Sequence, residues 1–113
     1  MLNSMVMATG FVLLLAQGAN AAYCGKARDD MKSITVNGTI KLIETADQSW
    51  GAGRNWVEIA ECPTLGVVIK GKGSCAVGRQ LRATGEFFYC DEDSFDFDEC
   101  GVDQLEAASF SCN

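Results

Sequence analysis

The chain has 113 residues, nine Lys and Arg against fifteen Asp and Glu, six cysteines and no histidine, for a net charge of −6. The absence of histidine excludes a Ser-His-Asp triad and the usual general base at neutral pH. The acidic balance makes nucleic acid an unlikely partner for the whole chain, because phosphate binding depends on the opposite sign.

Residues 1 to 21 carry an uncharged apolar run, Gly10 to Ala16, and end in Ala19, Asn20 and Ala21. This reads as a secretory signal peptide with an A-x-A site cut after Ala21. Gln17, Gly18 and Asn20 interrupt it before the roughly 20 apolar residues that a membrane span requires. Cleavage leaves 92 residues, enough for one small domain with a modest core. All six cysteines, Cys24, Cys62, Cys75, Cys90, Cys100 and Cys112, fall in that part. An even number in a short exported chain predicts three disulfides supplementing the core. Zinc is disfavoured, since there is no C-x-x-C pair and no histidine, and no metal or other cofactor is expected. The expected location is periplasmic or secreted.

Residues 22 to 32 form a polar leader without strong period, either a single helical turn or a loop. The domain proper, 33 to 113, opens with a half-buried strand over Ser33 to Glu44, in which Ile34, Val36, Ile40 and Leu42 share one face. Gly38 occupies an apolar-face slot, which predicts a bend or bulge in a curved strand. A loop with Trp50, Gly51 and Gly53 leads to a second strand, Trp56 to Glu61, with Val57 and Ile59 inward and Trp56 and Glu58 outward. After the Cys62-Pro63 turn, Leu65 to Gly71 is the third strand, with Leu65, Val67 and Ile69 on one side and Val68 and Lys70 on the other. A glycine-rich crossover carrying Cys75 then leads to the fourth, Arg79 to Cys90, with Leu81, Ala83, Phe87 and Tyr89 inward. Asp91 to Glu99 holds six carboxylates in nine residues and is expected to be a solvated loop. These carboxylates also offer the oxygens a calcium ion takes, but without the glycine-containing spacing of an EF-hand. Asp103 to Ser111 is a last short strand, with a helix as the competing assignment.

Five strands, an all-β pattern with a glycine in the first strand and a glycine-rich join between the third and fourth, resemble the OB-fold. The likeness rests on Val36-Asn37-Gly38-Thr39-Ile40 and on the segment Val77 to Glu86, VGRQLRATGE. An SH3-like or other small β-barrel is the alternative. The crossover departs from many OB-folds in leaving no room for a helix. The resemblance implies a closed five-stranded barrel with strand order 1-2-3-5-4-1, in which strands 3 and 5 run parallel. That topology in turn implies the pairs Cys75 with Cys112, Cys90 with Cys100 and Cys24 with Cys62.

With the thiols bridged and no histidine present, the chain is expected not to be an enzyme. Barrels of this kind bind on the face of strands 2 and 3 and its flanking loops. Here the resemblance implies a ligand site at Trp50, Arg54, Trp56 and Lys70, with Glu58 and Val68 on the same face, and Arg82 is added from the basic group Lys70, Lys72, Arg79 and Arg82 around the crossover. The resulting expectation is an exported, non-catalytic binding module for a small ligand, glycan or protein. The alternative is a protein-protein interaction or inhibitor module that docks through the acidic loop 91–99.

Overall fold

The structure is a computed structural model that describes residues 22–90 and 101–113. The expected signal peptide, the acidic loop and Cys100 lie outside the described residues.

Five strands follow the leader: β1 (Ser33–Thr45), β2 (Arg54–Ile59), β3 (Leu65–Lys70), β4 (Gln80–Phe88) and β5 (Asp103–Cys112). They close into a barrel in the order β1-β2-β3-β5-β4, with β3 and β5 parallel and every other pair antiparallel. This is the strand order that the sequence resemblance implied, and β5 is a strand, not a helix. A closed ring leaves no long unpaired edge to recruit another chain.

The core is built by alternation. Val36, Ile40, Val57, Ile59, Val67, Ile69, Leu81, Phe87 and Leu105 are each no more than 1% exposed. They come from all five strands and meet inside the barrel. Full burial of each such side chain contributes about 1.5–3 kcal/mol.

Two bulges bend this pattern. In β1, Ile40 pairs with Ile59 and Leu42 with Glu58, so Lys41 is the extra residue and the next inward position passes to Ile43, opposite Val57. Ile43 therefore packs on the core, and the expected inward Leu42 instead lies opposite the outward Glu58. A period-two reading does not see a shift of one residue, which moves side chains to the other face. The same bulge corrects the site of the bend expected at Gly38.

Gly38 has its own reason. A Cβ there would lie 2.6 Å from Glu61 Oε1 and 2.7 Å from Ile59 Cδ1. It stands where β1 leaves β4 and joins β2. The Thr39 N–H freed at this exchange donates to Glu61 Oε1 at 2.7 Å.

In β5 the second bulge makes Ala108 the extra residue. Ala107 pairs with Gly85, but Ser109 pairs with Thr84. Inward positions thus run Leu105, Ala107, Phe110 and Cys112, odd numbers and then even. Phe110 and Cys112 both pack against the core. Tyr89, expected inward, lies one residue beyond the end of β4 and is 40% exposed.

Two of the expected disulfides are present, Cys24–Cys62 and Cys75–Cys112, with Cα atoms 5.6 and 5.1 Å apart. No described cysteine is a free thiol. The third expected pair, Cys90 with Cys100, includes a residue outside the described ones. Cystines of this kind belong to a non-reducing environment. Among the described residues no helix is long and apolar enough to cross a membrane.

The leader is tied down more firmly than its composition suggests. It forms one 3-10 turn, Ala27–Asp29, and lies along the end of β4. Met31 N donates to the Phe87 carbonyl and Phe87 N to the Lys32 carbonyl, at 2.7 and 2.9 Å. Tyr23 donates its hydroxyl to the Asp29 carboxylate. That bond is the main reason why the tyrosine is pushed above its ordinary pKa and the aspartate below its own.

Candidate functional site

The outward face of β2, β3, β5 and β4 is set by register. One row reads Trp56, Val68, Glu106 and Glu86 across the four strands, and two residues back along β2, two on along the antiparallel β3, Arg54 stands opposite Lys70. Between these rows lies a groove of about 400 Å³, walled by Arg54, Lys70, Glu86 and Glu106 and floored by Ala107 and Ala108. It opens where the β3–β5 pairing ends at Val68 and Glu106 while β3 runs on to Lys70 beside β2. Its size is that of a small-ligand cleft.

Arg54 is held at the groove from both sides. Its backbone carbonyl accepts from Ala46 N at 3.0 Å. Its guanidinium meets the Glu106 carboxylate at 3.5 Å, the two side chains being 26% and 40% exposed. A half-exposed pair at this distance contributes no more than about 1 kcal/mol. The contact directs the guanidinium towards Glu106.

Trp56 borders this face. Its ring lies over Gly66, where a Cβ would come within 2.0 Å of the ring carbons, and its indole N–H donates to Glu58 Oε2 at 3.0 Å. The side chain is thus half-buried and fixed, with the sheet beneath it. Val68 departs from the expectation of an exposed binding-face residue. It sits between Trp56 and Glu106 on the outward side and is fully buried there.

The structure therefore brings Arg54, Lys70 and Trp56 to one face, and it adds Glu86 and Glu106, which sequence reading missed. Arg82 goes elsewhere. On β4 it pairs with Asn37 of β1 and Ser111 of β5, and it borders a separate hollow of about 170 Å³ with Thr84, Ser109 and Phe110.

Trp50 does not line the groove. It ends a 3-10 turn, Gln48–Trp50, in the β1–β2 loop, and is half-buried. The same loop forms a hollow of about 380 Å³ whose lining includes Thr45, Gln48, Gly53 and Arg54. Asp47 caps the turn by accepting from Ser49 N at 2.8 Å. That backbone hydrogen bond holds the Asp47 carboxyl below its ordinary value of 3.8.

A lowered folded-state pKa stabilises the turn above the ordinary carboxylate value and loses that effect as pH falls through the lowered one. The Ser49 amide resonance is therefore expected to titrate with a midpoint below pH 3.8. A midpoint at or above that value would show that the cap does not form in solution.

Among the described residues no group of three or more Cys, Asp or Glu is gathered as a metal ion would need. Comparison of the chain with family models, characterised proteins and solved structures returns no match.

Proposed function

We propose that this protein is an exported, non-catalytic binding module of OB-like fold, taking a small polar ligand or a glycan in the groove between Arg54, Lys70, Glu86 and Glu106. The observation that carries this reading is the groove itself. Two cations and two carboxylates converge on a cleft lined also by Ala107 and Ala108, and Trp56 stands outside the cleft on the same outward side, its ring over Gly66. Arg54 and Lys70 stand on the β2–β3 face that OB barrels use for ligands, and the strand order with parallel β3 and β5 supports that likeness. The cystines support passage through an oxidising compartment. Aromatic rings near charged and hydrogen-bonding groups suit polar, ring-bearing or extended ligands.

The test isolates Trp56 as the reporter in a Trp50→Phe variant and follows its fluorescence against a panel of oligosaccharides, small zwitterions and organic anions. At least one class is expected to shift the emission. Lys70→Ala is then expected to weaken that ligand by about tenfold, the loss of one charge-assisted hydrogen bond. A silent Trp56 across the panel would sink this reading. Loss of a captured protein partner on Asp96→Asn with Asp98→Asn, while Trp56 stays silent, would replace it with docking through the acidic loop.

A further inference from the structure

Asn37 offers a chemistry that the barrel does not use. It is the one asparagine of five followed two positions later by Ser or Thr, in Asn37-Gly38-Thr39, the acceptor pattern of N-linked glycosylation. Asparagine is disfavoured within strands, yet Asn37 lies inside β1, opposite Arg82 of β4. Val36 and Gly38 on either side are buried, whereas Asn37 is exposed on the outside of the barrel. Arg82 Nη1 approaches its Oδ1 at 3.5 Å. Its Nδ2, the atom that carries a glycan, has no partner among the described residues.

We propose that Asn37 is the acceptor of an N-linked glycan. This rests on the export part of the reading above and not on the groove. In the transfer, the Asn37 amide nitrogen attacks the anomeric carbon of an oligosaccharide carried on a polyprenyl diphosphate. A C–N bond forms and the C–O bond to the diphosphate breaks. The diphosphate leaves with the electron pair, and a base of the transferase takes one amide proton.

The surroundings leave room for the sugar. Beside Arg82 lies the hollow of about 170 Å³ lined by Arg82, Thr84, Ser109, Phe110 and Ser111, with no carboxylate. Placed polar groups beside an aromatic ring suit a saccharide. The ligand groove stays uncovered at the first sugar, because Glu86 lies four residues from Arg82 along β4, roughly 13 Å away.

Thr39 fixes the order of events. Its hydroxyl belongs to the acceptor pattern, but in the barrel it accepts from Gln80 Nε2 at 2.8 Å and donates to Glu61 Oε2 at 3.2 Å. The folded protein therefore hides the pattern, and transfer belongs to the emerging chain. Gln80 follows Thr39 by 41 positions. Synthesis at about 5–20 residues per second leaves roughly 2–8 s before Gln80 has been made.

The experiment expresses the full chain in cultured animal cells, which N-glycosylate secreted proteins. Cell extract and medium are both scored by electrophoresis before and after a glycosidase that releases N-linked sugars. A single downward step in apparent mass is expected, and release in heavy-oxygen water leaves a labelled aspartate in place of Asn37. Asn37→Gln and Thr39→Ala are each expected to lose the step completely, and Thr39→Ser to keep it. Transfer precedes folding, so a variant that folds poorly still takes the sugar, and loss of the step is not a folding defect.

A chain recovered from the medium without the step would overturn the proposal, as would a step that survives Asn37→Gln. A chain that stays in the cytosol overturns the export reading and this proposal together. The groove is judged apart from these outcomes, since its test reads Trp56 emission.

Discussion

Gly85→Ala is expected to cost about 3 kcal/mol or more, a core-overpacking penalty at the upper end of its usual range. A Cβ at this position would lie 1.9 Å from the Glu106 carbonyl oxygen and 2.7 Å from the Ala107 Cα. Both are backbone atoms, and no rotamer change can move them aside. They belong to the β5 bulge, whose extra residue, Ala108, turns Phe110 and Cys112 towards the core. Relief of the clash would push β5 away from β4 and disturb every inward contact beyond it. For a domain of this size the loss corresponds to a fall in melting temperature of roughly 12–24 °C. Circular dichroism melts would measure it. A fall of less than about 4 °C, equivalent to under 1 kcal/mol, would mean that β4 and β5 do not approach so closely here.

Removal of the Cys75–Cys112 bridge by the double change Cys75→Ser, Cys112→Ser is the second large effect. The two residues are 37 positions apart, and the loop-entropy account puts the cost of opening such a ring at about 4 kcal/mol. Cys75 is 4% exposed, so a serine hydroxyl there adds a buried polar group. Against a typical total stability of about 5–15 kcal/mol, this leaves a small barrel marginal. The bridge fastens the glycine-rich crossover to the end of β5, assisted by the Ser74 hydroxyl donating to the Cys112 carbonyl at 3.0 Å. Urea unfolding of the variant gives the value. A loss below 1 kcal/mol would show that pairing with β4 alone holds the end of β5.

The barrel was legible in the sequence wherever strict alternation holds. Val57 and Ile59 in β2, Val67 and Ile69 in β3, and Leu81, Ala83 and Phe87 in β4 are where period two puts them. Alternation fails at Lys41 and at Ala108, the two bulges, because one extra residue reverses the faces after it. That is why Leu42 was expected inside in place of Ile43, whereas β5 competed with a helix because Ala107 and Ala108 weaken its strand pattern.

The site was half legible. Arg54, Trp56 and Lys70 sit on consecutive antiparallel strands joined by a short turn, so their proximity follows from local sequence. Glu86 and Glu106 meet them only through the parallel pairing of β3 with β5. That long-range register leaves no local signature. Trp50 and Arg82 show the converse: Trp50 stays in the β1–β2 loop, and Arg82, outward on β4 like Glu86, stands four residues from it and does not line the groove.

The two disulfides differ in the order in which their thiols become available. Cys24 and Cys62 are the first and second cysteines of the chain, whereas Cys75 and Cys112 are the third and sixth. In a chain oxidised as it emerges from its N-terminus, joining neighbours in sequence makes the first bridge correctly. The same rule then joins Cys75 to Cys90, a link that the barrel does not contain. Correct pairing of Cys75 with Cys112 therefore needs either that its oxidation waits until β5 has arrived or that thiol–disulfide exchange follows.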